Sequence, residues 1–160
     1  MNMENQDRLL VERFYDAFQQ LNASAMCACY DRQIVFHDPV FGLLREEEVE
    51  AMWKMLCSRA DSFSLRYETP VDLGEGYYTC DWEATYLFSA QKRRVVNKVR
   101  ANMRIINGLI SEHSDAFSMP AWCRQAFGMQ GYLLGWSGYF QRQVKLKAGK
   151  QLLNFMQEGN

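Results

Sequence analysis

The residue pattern predicts an α+β domain in which a curved antiparallel sheet wraps against N-terminal helices. Three observations carry this. Apolar residues recur at helical spacing ahead of Asp61, and after Asp61 the period changes to two and holds to Phe117. Asn107-Gly108, the strongest hairpin signal in the chain, falls between two of the alternating runs. Helices segregated from a run of antiparallel strands make α+β, because each layer must bury one apolar face against the other.

The elements follow in order. Leu10, Phe14, Ala17, Phe18 and Leu21, with charged and amide residues interleaved, predict an amphipathic first helix. Asn22 breaks it, and Ala23 to Tyr30 reads as a short second helix ending near Asp31. Ile34-Val35-Phe36 is a short strand, and Asp38-Pro39 then forces an extended or turning backbone. Glu46 to Ala60 is a third helix with acids in its first turn and an apolar stripe of Val49, Met52, Trp53 and Leu56. Residues 63–67 alternate, Leu73 to Tyr77 supplies a turn, and Tyr78 to Phe88 is a long strand with Asp81, Glu83 and Thr85 on its second face. Ser89 to Arg94 is a polar turn between that strand and Val95 to Ile106. Leu109 to Phe117 is the last strand, and Pro120 opens a helix that runs to Gly128.

The chain of 160 residues fits one domain, and 48% hydrophobic against 23% charged residues is a globular balance. The net charge of −1 supplies no overall basic field for nucleic acid. Five cysteines, an odd count without framework spacing, together with a charged opening that lacks a signal-peptide run, predict a reduced cytoplasmic protein. Cys27-Ala28-Cys29 lacks a second ligand pair, so no metal is expected there. There is no glycine-rich phosphate loop or nucleophile elbow, and no cofactor is expected.

Several stretches taken together resemble the SnoaL-like branch of the NTF2-like cone fold. They are residues 14–18 (Phe-Tyr-Asp-Ala-Phe), His37-Asp38-Pro39, residues 82–86 (Trp-Glu-Ala-Thr-Tyr), and residues 107–117. The last of these is similar to the family's final strand, G-x-I-x-x-H-x-D-x-F. The likeness spans residues 6–128, so residues 1–128 are read as the cone. Residues 129–160, an aromatic loop plus a basic amphipathic helix, are read as an addition within the same unit. The resemblance implies an apolar pocket between the concave sheet and the first helix. The superfamily includes ketosteroid isomerase, limonene-epoxide hydrolase, polyketide cyclases and members without known catalysis, so fold alone does not give function.

His113 and Asp115, two apart on a strand, share one face about 6 to 7 Å apart, and Phe117 continues it. The resemblance turns that face inward, where the matching aspartate of cyclases and epoxide hydrolases does acid–base work. Asp115 is therefore the expected base and His113 its assistant. The expected pocket walls are Tyr15, Phe18, His37, Trp53, Trp82, Tyr86, Arg100 and Phe117, which suit a small, flat or apolar ligand. Epoxide hydrolysis would need a second carboxylate and an arginine. Asp81 or Glu83 with Arg100 are available, but not at that enzyme's spacing. Isomerase chemistry would need a donor to an oxyanion, for which Tyr15, Tyr30 and Tyr86 are available. Asp38 reads first as a cap on the local turn. The competing function class is a non-catalytic module that binds a ligand or a protein, acting as a homodimer.

Residues 131–160 carry +3 against −4 for the remainder. The aromatic run Tyr132 to Phe140 precedes Arg142, Lys145, Lys147 and Lys150, with Val144, Ala148, Leu152 and Phe155 at helical spacing. The segment is expected to pack on its own cone or on a partner copy. Docking a protein, or peripheral contact with an anionic membrane, are the less favoured alternatives. The Gly131-x-x-x-Gly135 spacing carries no assignment alone.

Overall fold

The computed structural model describes residues 2–159. Helix α1 (Met3–Gln19) buries Leu10, Val11, Phe14, Tyr15 and Phe18 on one stripe. Helix α2 (Ala23–Cys27) is capped by Asn22, whose side chain accepts from the Ala25 N–H at 3.0 Å. Strands β1 (Tyr30–Asp38) and β2 (Gly42–Arg45) form a hairpin, followed by helix α3 (Glu47–Arg59). Short strands β3 (Ser64–Tyr67) and β4 (Val71–Gly74) lead into the long strands β5 (Tyr77–Phe88) and β6 (Arg93–Ile106) and then β7 (Leu109–Ala116). Helices α4 (Met119–Phe127), α5 (Met129–Leu134) and α6 (Gly138–Glu158) complete the chain.

The sheet order is β2-β1-β7-β6-β5-β3, with β4 also paired to β5. All pairs are antiparallel except β1 with β7, which is parallel. Asn107 and Gly108 both have positive φ, as a two-residue hairpin requires, and the turn sets the first pairs of β6 on β7; a bulge at Ser111 then shifts the register by one, so that His113 faces Met103. On β6, Val95, Val99, Ala101, Met103 and Ile105 are buried, which defines the concave face. Residues of α1 and α3 cover one end of that face and α4 covers the other, giving two apolar clusters along a single surface. This is the α+β cone, with an added C-terminal helix, that the residue pattern predicts.

Four local expectations are corrected. Helix α2 stops at Cys27, and Tyr30 already belongs to β1, so the first strand is nine residues long rather than three. Strand β2 was not anticipated; Gly42, at φ +69°, lets the chain reverse after Asp38-Pro39 and pair back. The β1–β7 pairing is parallel because β1 enters the sheet from the helical layer rather than through a hairpin. With α6 packed along α3, Met55 is buried and Leu56 faces solvent.

Candidate functional site

The concave face carries the two charged or imidazole side chains that are most deeply buried, His113 (2% exposed) and Asp115 (5%). Strand alternation places them. The β7 residues His113 and Asp115 point inward, opposite Met103 and Ala101 of β6 and alongside Phe36 of β1. Rings from α1, α3 and β1 enclose the imidazole. Phe14 and Phe36 meet it edge-on at 5.4 and 5.1 Å, and the Trp53 indole stacks at 6.3 Å.

A linear hydrogen-bond chain runs through this apolar shell. Trp53 Nε1 donates to the Tyr30 hydroxyl oxygen at 3.0 Å, Tyr30 meets His113 Nδ1 at 2.7 Å, and His113 Nε2 lies 3.0 Å from Asp115 Oδ1. Trp82 Nε1 donates to the same carboxyl oxygen at 3.4 Å. The direction of the chain follows from its ends. An indole N–H only donates, so Tyr30 accepts from Trp53, and the tyrosine proton then goes to its other partner, His113 Nδ1. That assignment leaves the imidazole proton on Nε2, where it donates to Asp115. Every link thus points its proton toward the carboxyl. Oδ2 of Asp115 has no hydrogen bond among the described residues and is the acceptor left for a ligand.

Two more polar groups approach Asp115. Tyr15 of α1 is fully buried, and its hydroxyl has no hydrogen-bond partner among the described residues. Burial first, and the charge of Asp115 second, hold that phenol well above its ordinary pKa, so it is a proton donor without an acceptor. Burial and Asp115 act in the same way on Tyr30, against the Trp53 hydrogen bond. Asp38 lies on the inward face of β1, one residue beyond the pairing of His37 with Ser114, which brings it beside Asp115. Its Oδ1 accepts from the Val40 and Phe41 N–H groups at 2.9 and 2.6 Å. Burial pushes the Asp38 carboxyl up to about 6, with Asp115 adding to the shift and the two N–H groups and His113 opposing it.

The other expected pocket residues divide. Phe18, Trp53 and Trp82 lie against one another and the first cluster, with ring centroids 5.1 and 5.5 Å from Phe18. Tyr86 and Phe117 belong to the second cluster, where Tyr86 accepts from Trp122 Nε1 at 2.9 Å. His37 and Arg100 are corrections: both are exposed on the outer face of the sheet. With Phe36 and Ala101 pointing inward, period two sends their neighbours outward. Arg100 closes a bidentate pair there with Asp81, at 2.8 Å for each bond, and Glu83 pairs with Arg66. The arginine and acids set against an epoxide-hydrolase arrangement are therefore outside the cone.

The interior carboxyl absent from the expected site is Asp38, for which the turn pattern favours a cap over a place near the pocket mouth. Carrying the alternation of Ile34 and Phe36 two residues further would have turned it inward. The local pattern puts Tyr30 at the end of a helix as one possible donor; its link to His113 depends on a long-range pairing that no local pattern records. Two open grooves are lined in part by residues of this site, Phe36 and His113 in the first and Tyr30 in the second. One of about 270 Å³ includes His37, Tyr77, Asn102 and Arg104. The other, of about 890 Å³, runs past Cys27, Arg32 and the acidic start of α3.

No curated protein matches the chain in sequence. Solved structures match its fold. An NTF2-like protein of unknown function from Burkholderia pseudomallei K96243 superposes with a TM-score of 0.64 at 14% identity, covering 76% of this chain and 97% of that one. A protein with a ketosteroid isomerase-like fold from Catenulispora acidiphila, solved with trimethylamine, gives 0.65 at 11% identity, covering 74% and 92%. An LEH-like epoxide hydrolase from M. tuberculosis gives 0.65 at 15% identity, covering 81% and 93%. The SnoaL-like domain model matches residues 11–113, from the first helix through the strand that carries the buried imidazole. With that match and the cone topology together, the chain belongs to the SnoaL-like domain family.

Proposed function

We propose that the protein is an acid–base enzyme acting on a small apolar carbonyl compound, with Asp115 as the base. The observation that carries this is the directed chain Trp53–Tyr30–His113–Asp115, which fixes one carboxyl oxygen and leaves the other free. A substrate lying over Ala101 and Trp82 would lose a proton from the carbon next to its carbonyl to Asp115 Oδ2. The electron pair moves to the carbonyl oxygen, where the unpartnered Tyr15 O–H donates. Asp38 then supplies or relays the proton that completes an isomerisation or a ring closure. Enolisation suits this site better than epoxide opening, because Arg100 and Asp81 face solvent. The isomerase-like and hydrolase neighbours support acid–base use of the fold.

The test is solvent deuterium exchange into the α-carbons of apolar cyclic monoketones such as cyclohexanone, followed by NMR. Wild type is expected to speed exchange, and Asp115→Asn to lower the rate by about 10²- to 10⁴-fold. Tyr15→Phe is expected to lose less, and Tyr30→Phe to shift the pH profile by freeing the imidazole tautomer. Exchange by Asp115→Asn at the wild-type rate sinks the assignment.

A second reading is a non-catalytic binding module that works as a homodimer in the cytoplasm. It is favoured by the dense ring packing around His113, which makes the polar chain serviceable as a structural core device. A ligand retained in native mass spectrometry, without exchange activity, would decide for it.

A further inference from the structure

The C-terminal end of the molecule carries a surface that the cone does not use. No Asp or Glu occurs between Asp115 and Glu158, while Arg124, Arg142, Lys145, Lys147 and Lys150 all lie in that stretch. Helix α6 buries Ala148 and Leu152 on one side, so the expected packing on the cone is met by that face alone. On the opposite side Tyr139, Leu146 and Leu153 are exposed, and their spacing of seven residues keeps them on one stripe. Arg142 and Lys150, four residues either side of Leu146, flank it. Ahead of this helix, α5 exposes Met129 (74%) and Tyr132 (64%), and the link to α6 exposes Trp136 (75%). Eight large apolar or aromatic side chains exposed between Met129 and Leu153 mark this segment as an interaction surface.

We infer that this surface docks on an anionic lipid bilayer. Trp136, Tyr132 and Tyr139 would sit at headgroup depth, and the α6 cations would meet lipid phosphates. Charge complementarity selects this occupant: the exposed stripe is flanked by Arg142 and Lys150, and α6 carries four cations with no acid before Glu158, which fits a negative surface. A second copy in a twofold contact would set the same cations against each other. Tryptophan and tyrosine beside long basic side chains are the residue types that settle at a membrane–water boundary. Contact is peripheral, because no helix among the described residues is long and apolar enough to cross a membrane.

Co-sedimentation with vesicles tests this directly. Full-length protein at low salt is expected to pellet with phosphatidylcholine vesicles containing about one third phosphatidylglycerol, and to be released by roughly 0.5 M salt. It is expected to stay in solution with phosphatidylcholine alone. Lys147→Gln and Lys150→Gln are each expected to weaken binding about fivefold, and Trp136→Ser with Tyr139→Ser about tenfold or more. These positions are exposed, so thermal midpoints should not move. Failure to pellet with anionic vesicles overturns the proposal, as does equal binding to neutral ones or full binding by the Trp136→Ser, Tyr139→Ser variant. Sedimentation velocity separates the remaining occupant. A wild-type dimer that Leu146→Ser with Leu153→Ser turns into monomer, in a protein that ignores vesicles, would make this face a contact between copies.

Discussion

Asp38 has two roles that pull against each other. Its Oδ1 holds the turn after β1 through the Val40 and Phe41 N–H groups, yet burial drives its carboxyl up to about 6 from 3.8. The sign of the pH effect follows. Below 3.8 both folded and unfolded chains hold the proton, and the side chain imposes no ionisation cost. Between 3.8 and 6 the folded chain keeps a proton that the unfolded chain has lost, so stability falls as pH rises; above 6 the cost is complete. Asp38→Asn keeps the acceptor oxygen and removes the charge. It is expected to be more stable than wild type by about 1–3 kcal/mol near pH 7.5, with the gain gone near pH 4. Urea unfolding at the two pH values checks this, and an equal gain at both would reject it. At this scale period two is legible in the residues: it turns His113 and Asp115 to one face, and both are buried there. The same alternation, carried from Phe36 and Ala101, turns His37 and Arg100 outward and away from the expected pocket.

At the scale of elements, the long periodic pieces were legible and the junctions were not. Strands β5, β6 and β7 announce themselves by alternation and by Asn107-Gly108. The length of β1 and the existence of β2 depend on partners distant in sequence. The Gly131-x-x-x-Gly135 spacing, uninformative alone, acquires a purpose once α4 and α5 are placed. A Cβ on Gly131 would stand 1.8 Å from the Cys123 carbonyl oxygen, and one on Gly135 would stand 2.9 Å from the Cys123 side chain. The two glycines let α5 lie directly on α4. In an unobstructed helix alanine would gain up to about 1 kcal/mol over glycine. Here a backbone atom blocks it, so Gly131→Ala is expected to lower stability by about 1–3 kcal/mol. Hydrogen exchange should quicken at the α5 amides of Tyr132 and Gly135, which bond back to Gly128 and Gly131. Amides of β5 and β6 should be unaffected. A stabilised Gly131→Ala variant would show that the helices are not held at this contact.

For the whole molecule, the open question is whether α6 is an appendage or a wall of the cone. The boundary drawn after residue 128 marks where the family resemblance ends, and it does not divide the packing. Leu152 is buried to 4% exposure and belongs to the same apolar cluster as Phe14, Trp53 and Tyr78, with Phe155 and Met156 packed against it. That cluster also surrounds His113, so the outermost helix and the buried polar chain share one core. An appendage would melt separately. A shared core makes unfolding one cooperative event, in which damage to α6 is felt at the far strands. Leu152→Ala removes a side chain from this cluster and is expected to cost about 2–4 kcal/mol, depending on how far the site collapses. The prediction lies in the coincidence of signals rather than in the size of the loss. Far-UV circular dichroism, which is weighted toward the helices, and tryptophan fluorescence, which reports on the cone through Trp53 and Trp82, should show the same lowered midpoint. If the fluorescence midpoint stays at the wild-type value while the helical signal melts early, α6 is only attached to the cone.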